Sequence, residues 1–559
     1  MDNYKIADSF SLLAKLMDIH GENSFKSKSY ASAAFAIENL QVQLNDLPTE
    51  KISGLKGIGA SSAQKIEELL KTGKLKILED LIIKTPPGVL EMLNIKGIGP
   101  KKINTIWKEM EIESVGELLY ACKENRLKLF KGFGEKTQQN IIDTIEFYFK
   151  NKGSHLYAQV ALIASETESF IQKVFTKKQV ALTGVFKRQF EVIDELELLV
   201  ETDEKEIEKS MSAVDGFTLK EKLEDCFLFS TSIGVDVKLY WTDKAYFIAN
   251  LIKTSSSASF NEGLATAIKN PPANIATEAS YFDTAGIHFI PAPLREDPAL
   301  IEKAKAGPLP AIIQPGDIRG IIHSHSNWSD GSNTLEEMAL AAIERGLEYL
   351  VISDHSRSAF YAQGLSEERI REQHLYIDEL NEKLKPFKIF KSIESDILND
   401  GSLDYSNEVL STFDLVIASV HSNLKMTEEK AMARLLKAIE NPYTTILGHM
   451  TGRLLLSRPG YPVDHSKIID ACAANQVVIE LNAHPNRLDI DWRHIQSALS
   501  KNVLISIDPD AHITTGLDDT TYGVMVAQKA MLTKEKNLSS FSLGEFEKYI
   551  LDRKKAKGI

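Results

Sequence analysis

The chain has 559 residues, of which 43% are hydrophobic and 26% are charged, and its formal net charge is −13. These values are typical of a globular protein and exclude a disordered chain, and no run of about 18 apolar residues predicts a membrane span. The length predicts three or four domains of about 150 residues each. Residues 1–150 hold 21 Lys and Arg against 20 Asp and Glu, whereas the remainder holds 44 against 58. The first third is therefore neutral enough to approach a polyanion.

The cysteines and the N-terminus indicate a reducing compartment. Cys122, Cys226 and Cys472 are scattered and form no CxxC pair. This pattern predicts free thiols without a disulfide partner and a cytoplasmic location. The N-terminal stretch MDNYKIADSFSLLAKLMDIHG carries acids within its apolar pattern, which predicts an amphipathic helix and not a signal peptide. No feature of the sequence determines the oligomeric state.

A short glycine pattern recurs three times within residues 1–150, which read as almost entirely helical. Each copy precedes an amphipathic helix, and the glycine pairs are Gly57 and Gly59, Gly97 and Gly99, and Gly132 and Gly134. The glycines permit a tight turn, and the helix that follows offers free N–H groups to a phosphate. A single copy is explained by an ordinary helix cap. Three copies predict helix-hairpin-helix motifs, which hold the DNA backbone without reading its sequence.

The first third also resembles part of a known enzyme family. Residues 22–83, with SFKSKSYASAAFAIENL and GLKGIGASSAQKIEELLKTGKLKILEDL, resemble the lyase domain of family X DNA polymerases, which include DNA polymerase beta, and residues 90–150 resemble their fingers region. In eukaryotic members a lysine after the first hairpin forms a Schiff base with an abasic sugar, and Lys65 falls at the matching place. We favour the alternative that Lys65, like Lys101, binds DNA through phosphate, because lysine is common on such helices.

The resemblance implies a polymerase palm after residue 152. Family members carry a Gly-Ser turn and three aspartates that hold two magnesium ions. Here the turn reads Gly184-Val185, Glu195 and Glu197 replace two of the aspartates, and Asp236 in IGVDVKLYW takes the third position.

These departures predict that polymerase activity is lost. Val185 removes a hydroxyl that would bind the triphosphate, and each glutamate is one methylene longer than aspartate, whereas Mg²⁺ demands near-ideal octahedral geometry. The nucleotide-pocket signature is reduced to Thr254-Ser255-Ser256 followed by Asn261. We therefore expect a degenerate palm without its Mg²⁺ pair that still positions DNA.

From Arg319 onward, seven short apolar runs each end in histidine or a carboxylate: GIIHSH, YLVISDH, FKSIESD, LVIASVH, TILGH, VVIELNAH and VLISIDPDAH. Helix-like stretches separate most of them, which predicts a parallel α/β barrel. Strand C-termini converge on one face of such a barrel. Nine candidate metal ligands follow from these runs and their loops: His323, His325, Asp330, His355, Glu394, His421, His449, Asp510 and His512. They suit two or three ions of Mn²⁺, Zn²⁺ or Fe²⁺ better than Mg²⁺ or Ca²⁺.

The spacing of these nine residues, over residues 319–530, resembles the PHP family (polymerase and histidinol phosphatase). The strings SVHS, GHMTGRLLLSR, ELNAHPNRLDID and DPDAH resemble the version fused to bacterial family X polymerases. The resemblance implies a distorted seven-stranded barrel with a trinuclear site, in which metal ions activate water for in-line attack on phosphorus.

Basic and polar side chains near these strand ends have predicted supporting roles. Arg453 is our candidate phosphate clamp and Arg487 the second choice, and either could equally form a surface ion pair. A further set is predicted to orient the histidines: Asp354, Asp396, Glu480 and Asn482.

The predicted fold class is multidomain, α and α/β. We expect a lyase-like helical domain, a fingers-like helical domain, a nucleotidyltransferase-like α+β palm, a thumb-like region with linker, and a distorted (β/α)7 PHP barrel, over residues 1–85, 86–152, 153–245, 246–312 and 313–559.

Four functions remain open at this level. The favoured one is a metal-dependent 3′–5′ exonuclease or phosphodiesterase of DNA repair, implied by the resemblance and acting on gapped, nicked or 3′-blocked duplex. The alternatives are a small-molecule phosphatase such as histidinol phosphatase, a non-enzymatic DNA-binding scaffold with a structural metal site, and an active gap-filling polymerase. A small-molecule phosphatase has no need of some 300 residues of hairpins and palm before the barrel.

Overall fold

The computed structural model describes residues 1–40, 42–123, 127, 130–150, 153–456 and 459–559. The chain divides into two compact units, Met1–Lys152 and Gly153–Ile559. This division coincides with the predicted boundary after residue 152, and residues 151–152 themselves lie outside the described part. In the described part, no helix combines the length and apolar content that a bilayer crossing requires.

All the regular secondary structure in the described residues of the first unit is helical. Its helices α1 to α9 are Asn3–Ile19, Ser24–Glu38, Thr49–Ile52, Ala60–Thr72, Lys76–Lys84, Pro87–Glu91, Pro100–Lys108, Val115–Lys123 and Glu135–Lys150. The predicted amphipathic N-terminal helix is α1, which Asp2 caps by accepting a hydrogen bond from the Lys5 N–H. Its buried face, including Ile6 and Phe10, belongs to one hydrophobic core that extends as far as α9. The helices therefore share a single packing centre.

The second unit begins with a mixed sheet. Strands β1 to β7 are His155–Leu156, Val180–Leu182, Val192–Ile193, Glu195–Glu201, Phe217–Lys222, Cys226–Thr231 and Asp236–Thr242. Five of them form a sheet in the order β2-β4-β7-β6-β5, in which only β4 and β7 run parallel. Helices α10 to α12 are Tyr157–Val174, Gly184–Lys187 and Glu204–Met211. The alternate residues Leu196, Leu198 and Val200 face a core with α10, which leaves Glu195 and Glu197 on the other face.

Four helices follow this sheet, and α13 to α16 are Phe247–Thr254, Ala258–Ala267, Glu278–Asp283 and Ala299–Ala306. Phe260, Phe282 and Ile290 lie in their core. The Arg295 guanidinium is fully buried and donates to Glu278 Oε2 at 2.5 Å and to the Ile290 carbonyl at 2.9 Å. This buried ion pair ties the helices to one another.

The last part is a seven-stranded parallel sheet in chain order. Strands β8 to β14 are Gly320–Ser324, Tyr349–Ile352, Lys388–Asp396, Leu415–Ser419, Thr444–Leu447, Val478–Asn482 and Ile505–Asp508. A parallel bridge between Ser324 and Ala511 brings the last strand next to the first, and the His325 N–H donates to the Ala511 carbonyl at 2.8 Å. The sheet is therefore a nearly closed barrel, and all seven predicted strands are present.

Helices α17 to α24 accompany the barrel strands: Leu335–Glu344, Glu367–Lys383, Asn407–Leu410, Glu428–Glu440, His465–Asn475, Trp492–Ser500, Thr520–Lys529 and Leu543–Lys557. Thr334, Ser366, Thr427 and Asp464 cap four of them by accepting backbone N–H groups. Short 3-10 turns lie at Leu44–Asp46, Met92–Asn94, Lys244–Tyr246, Ala292–Leu294, Pro315–Asp317, Phe360–Ala362, Thr514–Asp519, Lys534–Lys536 and Leu538–Ser540. The predicted fold class, helical hairpins followed by α/β parts ending in a seven-stranded barrel, is confirmed.

Candidate functional site

The C-terminal ends of the barrel strands bring all nine predicted ligands together. They form four overlapping groups whose ligand atoms lie within 4.8 Å of one another: His325, Asp330, His355 and His512; His323, Glu394 and His449; His323, His325 and Asp510; and His355, Glu394 and His421. We call these nine residues the metal cluster. Because four of them belong to two groups each, the arrangement has the form of a multinuclear site.

Glu394 lies at the centre of the metal cluster. Its carboxylate is fully buried. Five imidazoles lie close to it, with Oε1 3.0 Å from His449 Nε2, 3.1 Å from His421 Nε2 and 3.2 Å from His323 Nε2, and Oε2 3.0 Å from His355 Nδ1 and 3.6 Å from His325 Nε2. A carboxylate placed among so many ligands is suited to bridge two metal ions.

Two of the candidate ligands have a strained backbone. His323 has a φ of 60° and Asp510 a φ of 53°, a left-handed region that residues other than glycine rarely adopt. The pairing of β8 with β9 is also irregular between Ile321 and Ser324. Such strain persists only where the surrounding structure enforces it, and it concentrates at functional sites.

Hydrogen bonds orient the histidine rings of the metal cluster. His323 Nδ1 is 2.5 Å from Glu480 Oε2, and His421 Nδ1 is 2.5 Å from Asp396 Oδ1. His512 Nδ1 is 2.9 Å from the Asp510 carbonyl. Each contact leaves Nε2 of the ring facing the cluster, as a metal ligand requires.

The residues predicted to orient histidines have different contacts. Asp396 and Glu480 contact histidines, whereas Asn482 donates to Glu480 Oε1 at 2.9 Å and to Asp510 Oδ2 at 3.2 Å. Asp354 accepts hydrogen bonds from Ser326, Ser329 and Gln373, so it holds the loop after β8. None of these hydrogen bonds of Asp354 is with a histidine.

The charges in the metal cluster favour a bound cation. Burial alone would raise the pKa of Glu394, but the imidazoles of His421 and His323 hold it well below its usual range. Burial, followed by the neighbouring His512 and His355, lowers the pKa of His325 to about 3. Burial would also lower the pKa of His421, yet Glu394 raises it to about 10. The buried carboxylates thus require positive charge, which protons supply when no metal ion does.

The buried nitrogen atoms also fit metal ligands. His323 Nε2, His325 Nδ1 and His449 Nδ1 are inaccessible to solvent and make no hydrogen bond with any described residue. His323 Nε2 lies 3.2 Å from Glu394 Oε1 and 3.6 Å from Asp510 Oδ1, without hydrogen-bonding geometry to either. Unpaired buried polar atoms are destabilising, and a divalent ion held by His323 Nε2 would give this nitrogen a partner.

Arg453 holds neighbouring backbone. Its Nε donates to the Arg487 carbonyl at 2.9 Å, Nη1 donates to Asp491 Oδ2 at 2.7 Å, and Nη2 donates to the Leu488 carbonyl. Every guanidinium nitrogen therefore has a protein partner, an arrangement that favours a structural role for Arg453 over the predicted phosphate clamp. Arg487, the second choice, has Nε 3.6 Å from Asp510 Oδ2, at the edge of the metal cluster.

The three glycine hairpins share one geometry. Gly57, Gly97 and Gly132 have φ values of 86°, 89° and 93°. In each turn the next N–H donates to the carbonyl three residues earlier, at 3.1, 3.2 and 3.1 Å. The second glycine of each pair directly precedes helix α4, α7 or α9. All three copies therefore present the free N–H groups of a helix start.

The two lysines predicted to contact DNA differ in their surroundings. Lys101 is exposed on α7, next to the second hairpin. Lys65 Nζ forms a hydrogen-bonded ion pair with Glu68 Oε2 at 2.6 Å. The Lys65 amine is therefore already paired with a carboxylate of its own helix.

The predicted polymerase carboxylates already have protein partners. Lys238 Nζ donates to Glu195 Oε1, and Lys220 Nζ donates to Asp236 Oδ2 at 2.5 Å. The potential metal-binding groups found among the described residues include none of these carboxylates. Lys238 and Lys220 thus pair with two of the three predicted polymerase carboxylates.

Glu197 fills the space beside the Gly184 turn. Its Oε1 accepts the Val185 N–H at 2.9 Å, and its Oε2 accepts the Tyr240 hydroxyl at 2.8 Å. A Cβ at Gly184 would lie only 1.8 Å from Glu197 Oε1. Glu197 thus places negative charge directly against the backbone of this turn.

Comparison with known proteins agrees with this architecture. Three family models match: a helix-hairpin-helix domain over residues 1–75, a SAM-like helix-hairpin-helix tandem over residues 89–146, and a PHP domain over residues 322–484. The chain is also 30% identical to the DNA polymerase/3′-5′ exonuclease PolX of Bacillus subtilis, across 96% of this chain and 97% of that protein. The chain belongs to the PolX family.

Shorter relatives carry a different name. A probable phosphatase of Thermoanaerobacter sp. (strain X514) is 25% identical over 42% of this PolX chain and 96% of its own length. A probable phosphatase of Acetivibrio thermocellus is 30% identical over 29% of this chain and 64% of its own length.

Sequence reasoning missed the cations that neutralise the palm of this PolX chain. Lys238 and Tyr240 lie two and four residues after Asp236 on β7, so strand alternation places all three on one face. The alternation of side chains along β7 was the sequence signal that could have identified Lys238 and Tyr240 as neighbours of Asp236. The register that pairs Glu195 with Asp236 and Glu197 with Lys238 comes only from the sheet.

Proposed function

We propose that this PolX-family chain is a divalent-metal-dependent 3′–5′ exonuclease of DNA repair. The observation that carries the proposal is the convergence of nine histidine and carboxylate side chains in a chain whose first unit repeats the hairpin turn three times. We propose these nine as the ligands of two or three ions of Mn²⁺, Zn²⁺ or Fe²⁺. Shortening of a 5′-labelled primer–template in the presence of Mn²⁺ tests the proposal.

The side chains around the metal cluster have distinct roles in this reaction. When bound, divalent ions activate water and polarise the phosphoester. Glu480 and Asp396 keep His323 and His421 in the ring orientation that ligation requires, because each accepts from Nδ1. Glu394 joins the histidine groups to one another. The ligands are therefore held by a buried network before substrate arrives.

We assign the phosphate contact to Arg487 and a positioning role to Arg453. Arg487 lies at the edge of the metal cluster, 3.6 Å from Asp510, and is partly accessible. Arg453 holds the carbonyl groups of Arg487 and Leu488 in place. A guanidinium at this position neutralises charge that develops on the non-bridging phosphate oxygens.

Replacement of Arg487 by alanine is expected to lower kcat for primer shortening by about 100-fold, since one donor to a developing charge contributes about that much. Arg487→Lys should retain part of the activity, because the charge remains. Kinetics on a 5′-labelled oligonucleotide at saturating Mn²⁺ provide the measurement. Arg453→Ala serves as the comparison. It should lower both kcat and the melting temperature, whereas Arg487→Ala should lower kcat and leave the melting temperature unchanged. Equal kcat for Arg487→Ala and wild type would disprove the assignment.

We propose that the three hairpins bind the DNA backbone. Gly59, Gly99 and Gly134 do not have positive φ values, and a Cβ at any of them would meet no atom within 4 Å. Nothing within the described protein therefore requires glycine there, whereas close approach of a phosphate to the helix start does. Exposed Lys56, Lys96 and Lys131 precede the turns and add positive charge. Hairpins of this kind suit gapped, nicked or 3′-blocked duplex, the substrates we propose.

Replacement of Gly99 by alanine is expected to weaken DNA binding by about tenfold without loss of stability, because hydrogen bonds to a charged group contribute about that much. Fluorescence anisotropy with a nicked duplex gives the Kd, and thermal melting checks the fold. Gly116→Ala is the matched control, since Gly116 also has open space around it but lies within α8. If both variants bind as the wild type does, the hairpin assignment is wrong.

We further propose that polymerase activity is lost in this chain. Lys238, Lys220 and Tyr240 bind the three carboxylates that would hold magnesium ions, and Glu197 blocks the Gly184 turn. Lys187 and Arg188, which follow the turn, are paired with Glu278 and Glu296. The palm then serves as a structural element that positions DNA.

The second candidate function is hydrolysis of small phosphomonoesters. It is favoured by the probable phosphatases that match 42% and 29% of this chain. Assay of a phosphomonoester beside the oligonucleotide separates the two functions.

Three finer assignments accompany the proposal. The five predicted domains remain our division of the two observed units. Lys65 is assigned to phosphate contact, because it lies on α4, the helix that follows the first hairpin turn. Cys122, Cys226 and Cys472 are buried free thiols, which suit the cytoplasm, the compartment that we propose.

A further inference from the structure

An exposed phenylalanine lies on the loop that directly follows one of the candidate metal ligands. We call residues 356–365, between His355 and helix α18, the rim loop. Phe360 in this loop is 86% exposed, the largest exposed fraction among the large hydrophobic side chains of the described residues. Its loop neighbours Ala359 and Ala362 are buried. The rim loop thus buries its small residues and presents its phenylalanine ring to solvent.

Hydrogen bonds hold the rim loop in place at both ends. The Ser358 N–H donates to Asp404 Oδ2 at 2.7 Å, and the Arg357 N–H donates to the Tyr405 hydroxyl at 3.0 Å. The Leu365 N–H donates to the His355 carbonyl at 2.8 Å, which closes the loop. A Cβ at Gly364 would lie 1.8 Å from the Ser356 carbonyl oxygen, so the two ends of the loop touch. The exposure of Phe360 therefore belongs to an ordered loop.

The rim loop is connected to the metal cluster. Ser358 Oγ donates to Asp396 Oδ2 at 2.7 Å, and the other oxygen of Asp396 is 2.5 Å from His421 Nδ1. Phe360 lies two residues beyond Ser358, so their Cα atoms are at most about 7.6 Å apart. The rim loop is therefore joined to the metal cluster through Ser358 and Asp396, two residues from Phe360 in the chain.

The surroundings of the ring favour a nucleic acid over a protein partner. A single apolar side chain is too small for a protein interface. Arg357, three residues earlier in the chain, is cationic and 53% exposed, with carboxylate oxygens of Glu367 and Asp404 at 3.7 and 3.6 Å, and Ser358 and Gln363 are polar. An aromatic ring next to a cationic side chain is the combination that binds a nucleobase and its phosphate.

We propose that Phe360 stacks on the nucleobase of the 3′-terminal nucleotide and thereby positions its phosphodiester at the metal cluster. The inference rests on the proposed exonuclease function. Such stacking would favour binding of a nucleic-acid 3′ end over a small phosphate ester. Phe360 is a positioning residue, because it contacts the base and not the reacting atoms.

The test compares Phe360→Ala, Phe360→Trp and wild type on two single-stranded oligonucleotides, one with a normal 3′-terminal nucleotide and one whose terminal nucleotide lacks its base. Phe360→Ala should raise KM for the normal oligonucleotide about tenfold, the usual effect of removing one stacking ring, with kcat nearly unchanged. It should not change KM for the oligonucleotide without the terminal base. Phe360→Trp should keep the wild-type KM on both.

Two controls separate the possible outcomes. Leu375→Ala removes another exposed apolar side chain, 66% exposed on α18, and should change neither KM. Hydrolysis of bis(p-nitrophenyl) phosphate should be equal in all variants. If Phe360→Ala leaves both KM values unchanged, or raises both equally, the stacking proposal is wrong while the exonuclease stands. If the wild type shortens neither oligonucleotide but hydrolyses the small ester, the exonuclease proposal fails and the stacking proposal fails with it.

Discussion

Replacement of His323 and His325 together by alanine is expected to abolish shortening of a 5′-labelled primer–template in Mn²⁺. Each residue belongs to two of the four groups of the metal cluster, so the double variant disturbs three of the groups at once. Loss of a residue that merely orients a ligand lowers activity about 10- to 100-fold, so loss of two ligands should lower it by at least about 1000-fold. Gel analysis of product lengths over time provides the measurement.

The matched control for this variant is His465→Ala/His494→Ala. These two histidines also lie in the barrel, with ring centroids 3.7 Å apart, but they belong to none of the groups of the metal cluster. This control should keep full nuclease activity, and both variants should bind nicked DNA as the wild type does. Metal content measured after dialysis should fall only in His323→Ala/His325→Ala. Undiminished shortening by that variant would rule out the metal cluster as the nuclease site.

No templated addition of deoxynucleotides is expected from this chain, even when its nuclease is inactive. The assay uses the His323→Ala/His325→Ala background, so that degradation cannot hide extension, with a gapped duplex, dNTPs and either Mg²⁺ or Mn²⁺. The physical reason is that lysine ammonium groups and a tyrosine hydroxyl already bind the palm carboxylates. Two-metal catalysis requires those oxygens to be free for ions.

A reversion variant tests whether the lysines alone are enough to prevent polymerase activity. Val185→Ser/Glu195→Asp/Glu197→Asp restores the three family residues but leaves Lys220 and Lys238 in place, and we expect it to remain inactive. The PolX protein of Bacillus subtilis, which is named as a polymerase, is the positive control. Robust extension by the nuclease-inactive chain would show that its palm is active. Extension only by the reversion variant would show that the lysines do not block the site.

Much of the barrel could be predicted from local sequence. In a parallel barrel all strand C-termini lie on one face, so a histidine or carboxylate at such an end is placed near the others whatever the strand order. His323, Glu394, His449 and Asp510 were identified in this way, although 187 positions separate the first from the last. The hairpins could be predicted equally well, because the turn and the helix start depend only on neighbouring residues.

The roles of Arg453 and Arg487 could not be decided from local sequence. A long side chain near a strand end can turn toward substrate or toward backbone, and its choice depends on the groups that the fold places beside it. Arg453 finds the carbonyl groups of Arg487 and Leu488 and the carboxylate of Asp491. The sequence alone could not rank Arg487 above it.

The sequence by itself determined the nine candidate metal ligands, the hairpins and the departures from the polymerase pattern, because each rests on local geometry or on the common direction of parallel strands. Only the tertiary structure decided which groups bind the three predicted polymerase carboxylates. The pairing of β4 with β7 places Lys238 beside Glu195 and Tyr240 beside Glu197. That pairing joins residues 43 positions apart, and register across such a distance is set by the packing of the whole sheet, which no single segment encodes.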